Sequence, residues 1–129
     1  MMRAAVVVAG LSCGLANACG VAGDRIATGA RYAIAYRSTP SPIVIGQHFA
    51  LDITVCPLGD ARAPLAVRVD ASMPDHRHGM NYRPTVVAKG AGRYRAEGLL
   101  FHMGGKWEIA FDVRAAGMDE RITSGWMLE

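Results

Sequence analysis

Apolar and polar side chains alternate with a period of two in three stretches of the chain, residues 49–55, 65–73 and 106–114. The last stretch is the clearest, with four large apolar residues on one side and mostly charged residues on the other: Trp107, Ile109, Phe111 and Val113. Successive side chains of a strand point to opposite faces of a sheet, so this pattern predicts half-buried β-strands.

Four weaker apolar runs complete the set, at residues 31–36, 84–89, 93–100 and 121–128. Turn-forming clusters rich in Gly, Pro, Ser and Asp separate the runs, and no stretch requires a long helix. Seven short strands at this spacing predict an all-β fold, an immunoglobulin-like antiparallel β-sandwich of about seven strands. A small closed barrel is the alternative architecture.

The first residues follow a different pattern, which is typical of an export signal. Arg3 precedes an apolar stretch at residues 4–15, and Ala16-Asn17-Ala18 fits a signal peptidase site. The stretch is shorter than the ~20 residues that a transmembrane helix needs. We therefore expect residues 1–18 to be a signal peptide and residues 19–129 to form one exported, periplasmic domain. A buried N-terminal strand or helix is the competing interpretation.

The cysteines leave two alternatives open. Removal of the signal peptide would remove Cys13 and leave Cys19 and Cys56, a pair that an oxidising compartment would join in a disulfide. Cys19 also follows a small residue, as in bacterial lipoproteins, and a lipid on Cys19 would exclude that disulfide. The lipid anchor is the less favoured alternative, because Asn17 and the position of Leu15 depart from the usual lipoprotein pattern.

Composition excludes several function classes. The chain has 129 residues, with 14 Lys plus Arg against 11 Asp plus Glu, and no cluster of basic residues. A nucleic-acid partner is therefore not expected. An enzyme is not expected either, because no Ser or Cys nucleophile has a recognisable context and no phosphate-binding loop precedes a helix.

Histidine and methionine concentrate in the predicted connections. Met73, His76, His78 and Met80 fall within eight residues, and the adjacent pair His102-Met103 follows in a later connection. Imidazole and thioether groups together suit a soft ion, and thioether favours Cu(I) over zinc, magnesium or calcium. These six residues are therefore candidate copper ligands, with Cu(I) the favoured ion.

Topology predicts that these residues share one end of the sandwich. If successive strands run antiparallel, the first, third and fifth connections lie at the same end. The segment before His48, the loop at residues 73–81 and the loop at residues 101–105 are those three connections.

Other interpretations exist for each candidate. Met73 continues the inward parity of its strand and so favours a core position, Met103 could cover Trp107, and His48 is consistent with an exposed strand start. A metal-free interaction module, docking on a periplasmic or membrane protein through the same loops, is the alternative function.

The motif from Met73 to Met80 is followed by Pro84, then Gly92-Arg93-Tyr94, then the stretch from Phe101 to Glu108. Over residues 32–113 the chain resembles the YtkA-like and FixH-like exported domains. The resemblance implies a small immunoglobulin-like sandwich outside the cytoplasm, in a group linked with copper handling and oxidase assembly. The chain departs from the periplasmic Cu(I) chaperones that carry an H-x-M pair on a second segment, because His102 and Met103 are adjacent.

The signal-peptide prediction can be tested on exported protein. The mature chain should begin at or near Cys19, because signal peptidase cleaves after an A-x-A site. N-terminal sequencing and intact mass measure this directly. Exported material that retains Met1 would contradict the prediction.

Overall fold

The computed structural model describes residues 23–129, and this part of the chain is built from strands and turns. The strands are β1 (Arg25–Thr28), β2 (Tyr32–Thr39), β3 (His48–Pro57), β4 (Ala66–Met73), β5 (His78–Gly79), β6 (Thr85–Gly90), β7 (Arg93–Leu100), β8 (Gly105–Arg114) and β9 (Glu120–Leu128). Within residues 23–129 no helix is long and apolar enough to cross a membrane.

The strands form two antiparallel sheets, one of five strands in the order β1-β2-β3-β7-β6 and one of four in the order β5-β4-β8-β9. Without the short strands β1 and β5, these orders match the ABED and CFG sheets of the immunoglobulin fold. The predicted all-β sandwich is therefore confirmed, and the closed-barrel alternative is wrong because the strands divide into two separate sheets.

The predicted number of strands is too low, since residues 23–129 contain nine strands rather than about seven. β1 covers four residues and β5 only two. Each is too short to show a recognisable alternation of apolar and polar residues, and each is recognised as a strand only by its pairing with a neighbouring strand. β1 pairs with β2, and β5 pairs with the last two residues of β4.

The core lies between the sheets and follows the predicted parity. In β8 the four large apolar side chains are fully buried, while Lys106 and Arg114 at its ends are exposed. Phe111 packs its ring against that of Tyr36 on the opposite sheet, with centroids 5.0 Å apart. Burial of alternate large side chains from both sheets supplies the main driving force for this fold.

β3 departs from simple alternation, because several residues on its outer side are also buried. Thr54 and Cys56 face away from the core side defined by Ile53 and Val55, yet both are buried. Cys56 is disulfide-bonded, and it is the only cysteine among residues 23–129. The predicted partner Cys19 and the predicted signal peptide lie outside the described residues.

Polar contacts close one side of the sandwich, where β1 approaches β9. The Trp126 indole N–H donates to the hydroxyl of Tyr36 at 2.9 Å, and this hydroxyl also shares a hydrogen bond with Ser124. The guanidinium of Arg25 lies 3.5 Å from the Trp126 ring centroid and donates to the carbonyl of Gly125. These contacts join β1 and β2 of one sheet to β9 of the other.

Ion pairs lie on the outer faces of both sheets. On β9 and β8, hydrogen bonds to Asp112 raise the pKa of Arg121. On the other sheet, hydrogen bonds to Glu97 and then to Asp52 raise the pKa of Arg95. Such exposed pairs contribute little to stability because solvent screens them. The apolar interior therefore dominates the stability of the fold.

The register of β8 can be tested with a pair of substitutions on that strand. Phe111→Ala should lower the free energy of unfolding by about 3–5 kcal/mol, since it leaves a cavity in the core. Lys106→Ala, an exposed change on the same strand, should stay within about 0.5 kcal/mol. Urea denaturation of both variants measures the difference, and equal effects would show that this strand is not buried as described.

Candidate metal centre

Three connections meet at one end of the sandwich, as the topology predicts. The backbone N–H of Gly46, before β3, donates to the carbonyl of Phe101, after β7, at 2.9 Å. The ring of His78, in the connection after β4, lies 5.5 Å from that of His102, measured between centroids. The first, third and fifth connections of the predicted strand set are therefore neighbours.

A tight hairpin after β4 positions His76 and His78. Met73 pairs with His78 across the β4–β5 ladder, and the N–H of His76 donates to the carbonyl of Met73 at 3.2 Å. Arg77 takes a left-handed conformation with φ 52°, which is uncommon for a residue with a side chain. This reversal places the two imidazoles at the exposed tip of the hairpin, with ring centroids 5.8 Å apart.

Three of the four histidines form a chain of ring contacts, His76 to His78 to His102, at 5.8 and 5.5 Å. With metal–nitrogen bonds of about 2.0–2.1 Å, two imidazoles bound to one ion have centroids roughly 5–6.5 Å apart. Each neighbouring pair therefore has a spacing that one ion could bridge.

Within residues 23–129 no group of three or more His, Cys, Asp or Glu side chains could hold a metal ion.

The three candidate methionines lie at different depths. Met73 is 1% exposed and belongs to the core, Met80 is half-buried and packs against the core, and Met103 is 38% exposed. The expected inward parity of Met73 is therefore confirmed. All three belong to the connections or strand ends that meet at this end.

Trp107 contacts His78 and His102 and holds the connection between β7 and β8 in place. Its indole N–H donates to the carbonyl of Met103 at 3.0 Å, and its ring stacks on Phe101 at a centroid distance of 4.5 Å. The ring of His102 meets it edge-on at 5.4 Å. Trp107 is completely buried, so it acts as a rigid support for His102 and Met103.

His102 carries an unsatisfied polar atom. Its Nδ1 is buried and has no hydrogen-bond partner. An imidazole nitrogen without a partner costs free energy unless something occupies its lone pair or accepts its proton. A metal ion bound at Nδ1 would remove that penalty, so His102 fits a copper ligand.

His48 lies apart from this cluster. Its ring contacts Tyr82 edge-on at a centroid distance of 4.8 Å, and the side chain is exposed. The sequence placed all four histidines at one end, and the structure brings three of them into one series of contacts.

Trp107 and Gly105 also belong to the site, although neither is among the candidate ligands. The sequence pattern predicts a core position for Trp107, which the structure shows, but the pattern does not indicate its contacts with His78 and His102. The signal available was its position four residues after Met103, directly after the predicted turn. Gly105 lies in a predicted turn, and the close approach of the Met73 side chain to its position depends on a register that the sequence does not specify.

Comparison with protein-family models, curated proteins and solved structures finds no match to this chain.

The support provided by Trp107 can be tested by removing one hydrogen-bond donor. Trp107→Phe keeps an aromatic ring but leaves the Met103 carbonyl without its partner. It should cost about 0.5–1.5 kcal/mol beyond the lost packing and should shift the NMR signals of the His102 ring. Trp126→Phe, the matched control, removes the donor to Tyr36 and should leave the His102 signals in place. Identical His102 spectra for both variants would contradict the supporting role.

Proposed function

We propose that this protein is an exported copper-binding protein whose site uses His76, His78 and Met80, with His102 or Met103 completing it. The observation that carries the proposal is the 5.5 Å contact between the His78 and His102 rings. These residues are distant in sequence, and the sandwich brings them together beside three methionines. The three imidazoles meet edge to face at this end, and one of them has a buried nitrogen without a hydrogen-bond partner, which a metal ion would satisfy.

Export explains why methionine and histidine, rather than cysteine, would serve as copper ligands. Outside the cytoplasm free thiolates are oxidised, so methionine and histidine are the soft ligands that persist. The predicted signal peptide therefore agrees with the composition of the site. The resemblance to YtkA-like and FixH-like domains adds a context, copper handling or oxidase assembly, with a periplasmic or membrane protein as the recipient or partner.

The proposal predicts an order of affinities for Cu(I). His76→Ala combined with His78→Ala should remove most copper binding, because both exposed imidazoles are lost. Met80→Leu keeps the bulk and removes the sulfur, so it should weaken Cu(I) binding with the fold intact. Binding should also weaken on acidification, because protons compete with the ion for imidazole nitrogen.

Competition titration against a Cu(I) chelator under reducing conditions measures these affinities, on protein without a histidine tag. His48→Ala is the matched control, since it removes an exposed histidine at the same end that contacts Tyr82. Equal affinities for the wild type, the double variant and the Met80 variant would exclude this loop as the site.

A metal-free interaction module is the second candidate, and exposed apolar side chains favour it. Val44, Ile45, Tyr82 and Met103 lie in the connections at this end and are 37–47% exposed. Exposed apolar groups that cluster can mark a protein-binding surface. If this function is correct, Ile45→Ser should abolish partner binding in metal-free protein, while the double histidine variant should retain it.

A further inference from the structure

We infer that the site selects soft monovalent cations, Cu(I) and Ag(I), through an inner ligand pair formed by the Met73 thioether and His102. The inference rests on the proposed copper site and deepens it, because it attributes the ion selectivity to the burial of the inner ligands and to the charge of the ion. Cu(II) would then be held only by the exposed imidazoles of His76 and His78.

The register of the smaller sheet places Met73 between two rings. Met73 pairs with His78 on one side, and Ser72 pairs with Glu108 on the other. Continuing that register by one residue puts Met73 beside Trp107. His78, Met73 and Trp107 therefore form one row across three strands, on the same face of the sheet.

The rings of His78 and Trp107 flank Met73 in this row, and the ring of His102 contacts both of them. His78 and Trp107 are nearly parallel, with an interplanar angle of 29° and centroids 6.5 Å apart, wider than the 4.5 Å stack of Phe101 on Trp107. His102 stands almost perpendicular to both, with centroids 5.5 and 5.4 Å away. We call the group of His78, His102 and Trp107, together with Met73 in the row between the first and the last, the ring box.

Gly105 provides the space for the end of the Met73 side chain. A Cβ at this position would lie 2.8 Å from Cε of Met73, closer than real contacts allow. Gly105 also has a φ of +122°, which side chains rarely adopt. Glycine therefore lets the thioether extend to the edge of the core, where the connection carrying His102 begins its return into β8.

The inner side of the ring box is shielded from water, while His78 on its outer side is exposed. Met73 and Trp107 are completely buried, and Nδ1 of His102 is buried without a partner. None of the four residues carries a negative charge. The desolvation penalty of an ion grows with the square of its charge, so a divalent ion entering this interior costs far more than a monovalent one.

The chemistry of the inner sulfur acts in the same direction. Thioether sulfur prefers soft ions, which gives Cu(I) and Ag(I) an advantage that Zn(II) and Cu(II) lack.

The test compares ions and methionines in the full mature protein. Met73→Leu should weaken Cu(I) and Ag(I) binding about tenfold or more, because it removes the inner sulfur, and should leave Cu(II) binding unchanged. Ag(I) is a suitable probe because it needs no reductant. Met118→Leu, in the connection between β8 and β9 at the opposite end, is the matched control for non-specific thioether binding and should change neither affinity.

Two further readouts keep the test decisive if Met73→Leu folds poorly. In otherwise unmodified protein labelled at its methionine methyl groups, Ag(I) should shift the Met73 methyl signal in NMR spectra. In a Trp126→Phe background Trp107 is the single tryptophan, and Ag(I) should quench its fluorescence while Zn(II) should not. Both readouts report the inner position directly.

The outcomes separate this inference from the proposed function. Cu(I) binding that depends on His76 and His78 but is unaffected by Met73→Leu, with no shift of the Met73 methyl, would overturn the inner ligand pair and leave the copper function standing. Equal weakening of Cu(I) and Cu(II) by Met73→Leu would overturn the selectivity. Absence of Cu(I) and Ag(I) binding by the wild type would overturn both proposals.

Discussion

The buried position of Trp107 is the constraint on which this end of the molecule depends. Its ring is part of the core through Phe101, and its one polar group is satisfied by the Met103 carbonyl. A buried indole N–H without an acceptor would cost about 1–3 kcal/mol. The connection between β7 and β8 is therefore held in the conformation that supplies this acceptor. His102 precedes Met103, so its placement follows from the packing of the core.

Most of the fold could be predicted from the sequence, because the fold depends on the alternation of inward and outward side chains along each strand. Alternation in β3, β4 and β8 identified the inward residues, and the antiparallel order then placed three connections at one end. β1 and β5 were not predicted, since their pairing depends on β2 and β4 rather than on their own residues. Thr54 and Cys56 are buried on the outer side of β3, which the simple pattern does not predict. Alternation indicates which face of the sheet a side chain is on, but not whether that face is covered.

The candidate site was predictable in its chemistry but not in its geometry. The spacing of His76, His78 and Met80 was visible in the sequence, as was the pair His102-Met103. Sequence could not show that His48 turns to Tyr82, that Met73 lies in the row between His78 and Trp107, or that Nδ1 of His102 is buried without a partner. Each of these depends on contacts between residues that are far apart in the chain, and turn geometry and side-chain packing determine them.

The candidate ligands form a gradient from solvent to core. His76 and His78 are exposed at the hairpin tip, His102 is half-buried, and Met73 is almost completely enclosed. An ion that entered along this gradient would exchange water for protein ligands stepwise, so no single step would carry the whole desolvation penalty. The same order places the imidazoles, which bind both oxidation states of copper, at the surface, and the thioether, which favours Cu(I), inside. A sandwich can provide such a gradient because its strands are rigid while its connections extend into solvent, so one end of a single core offers donors at every depth.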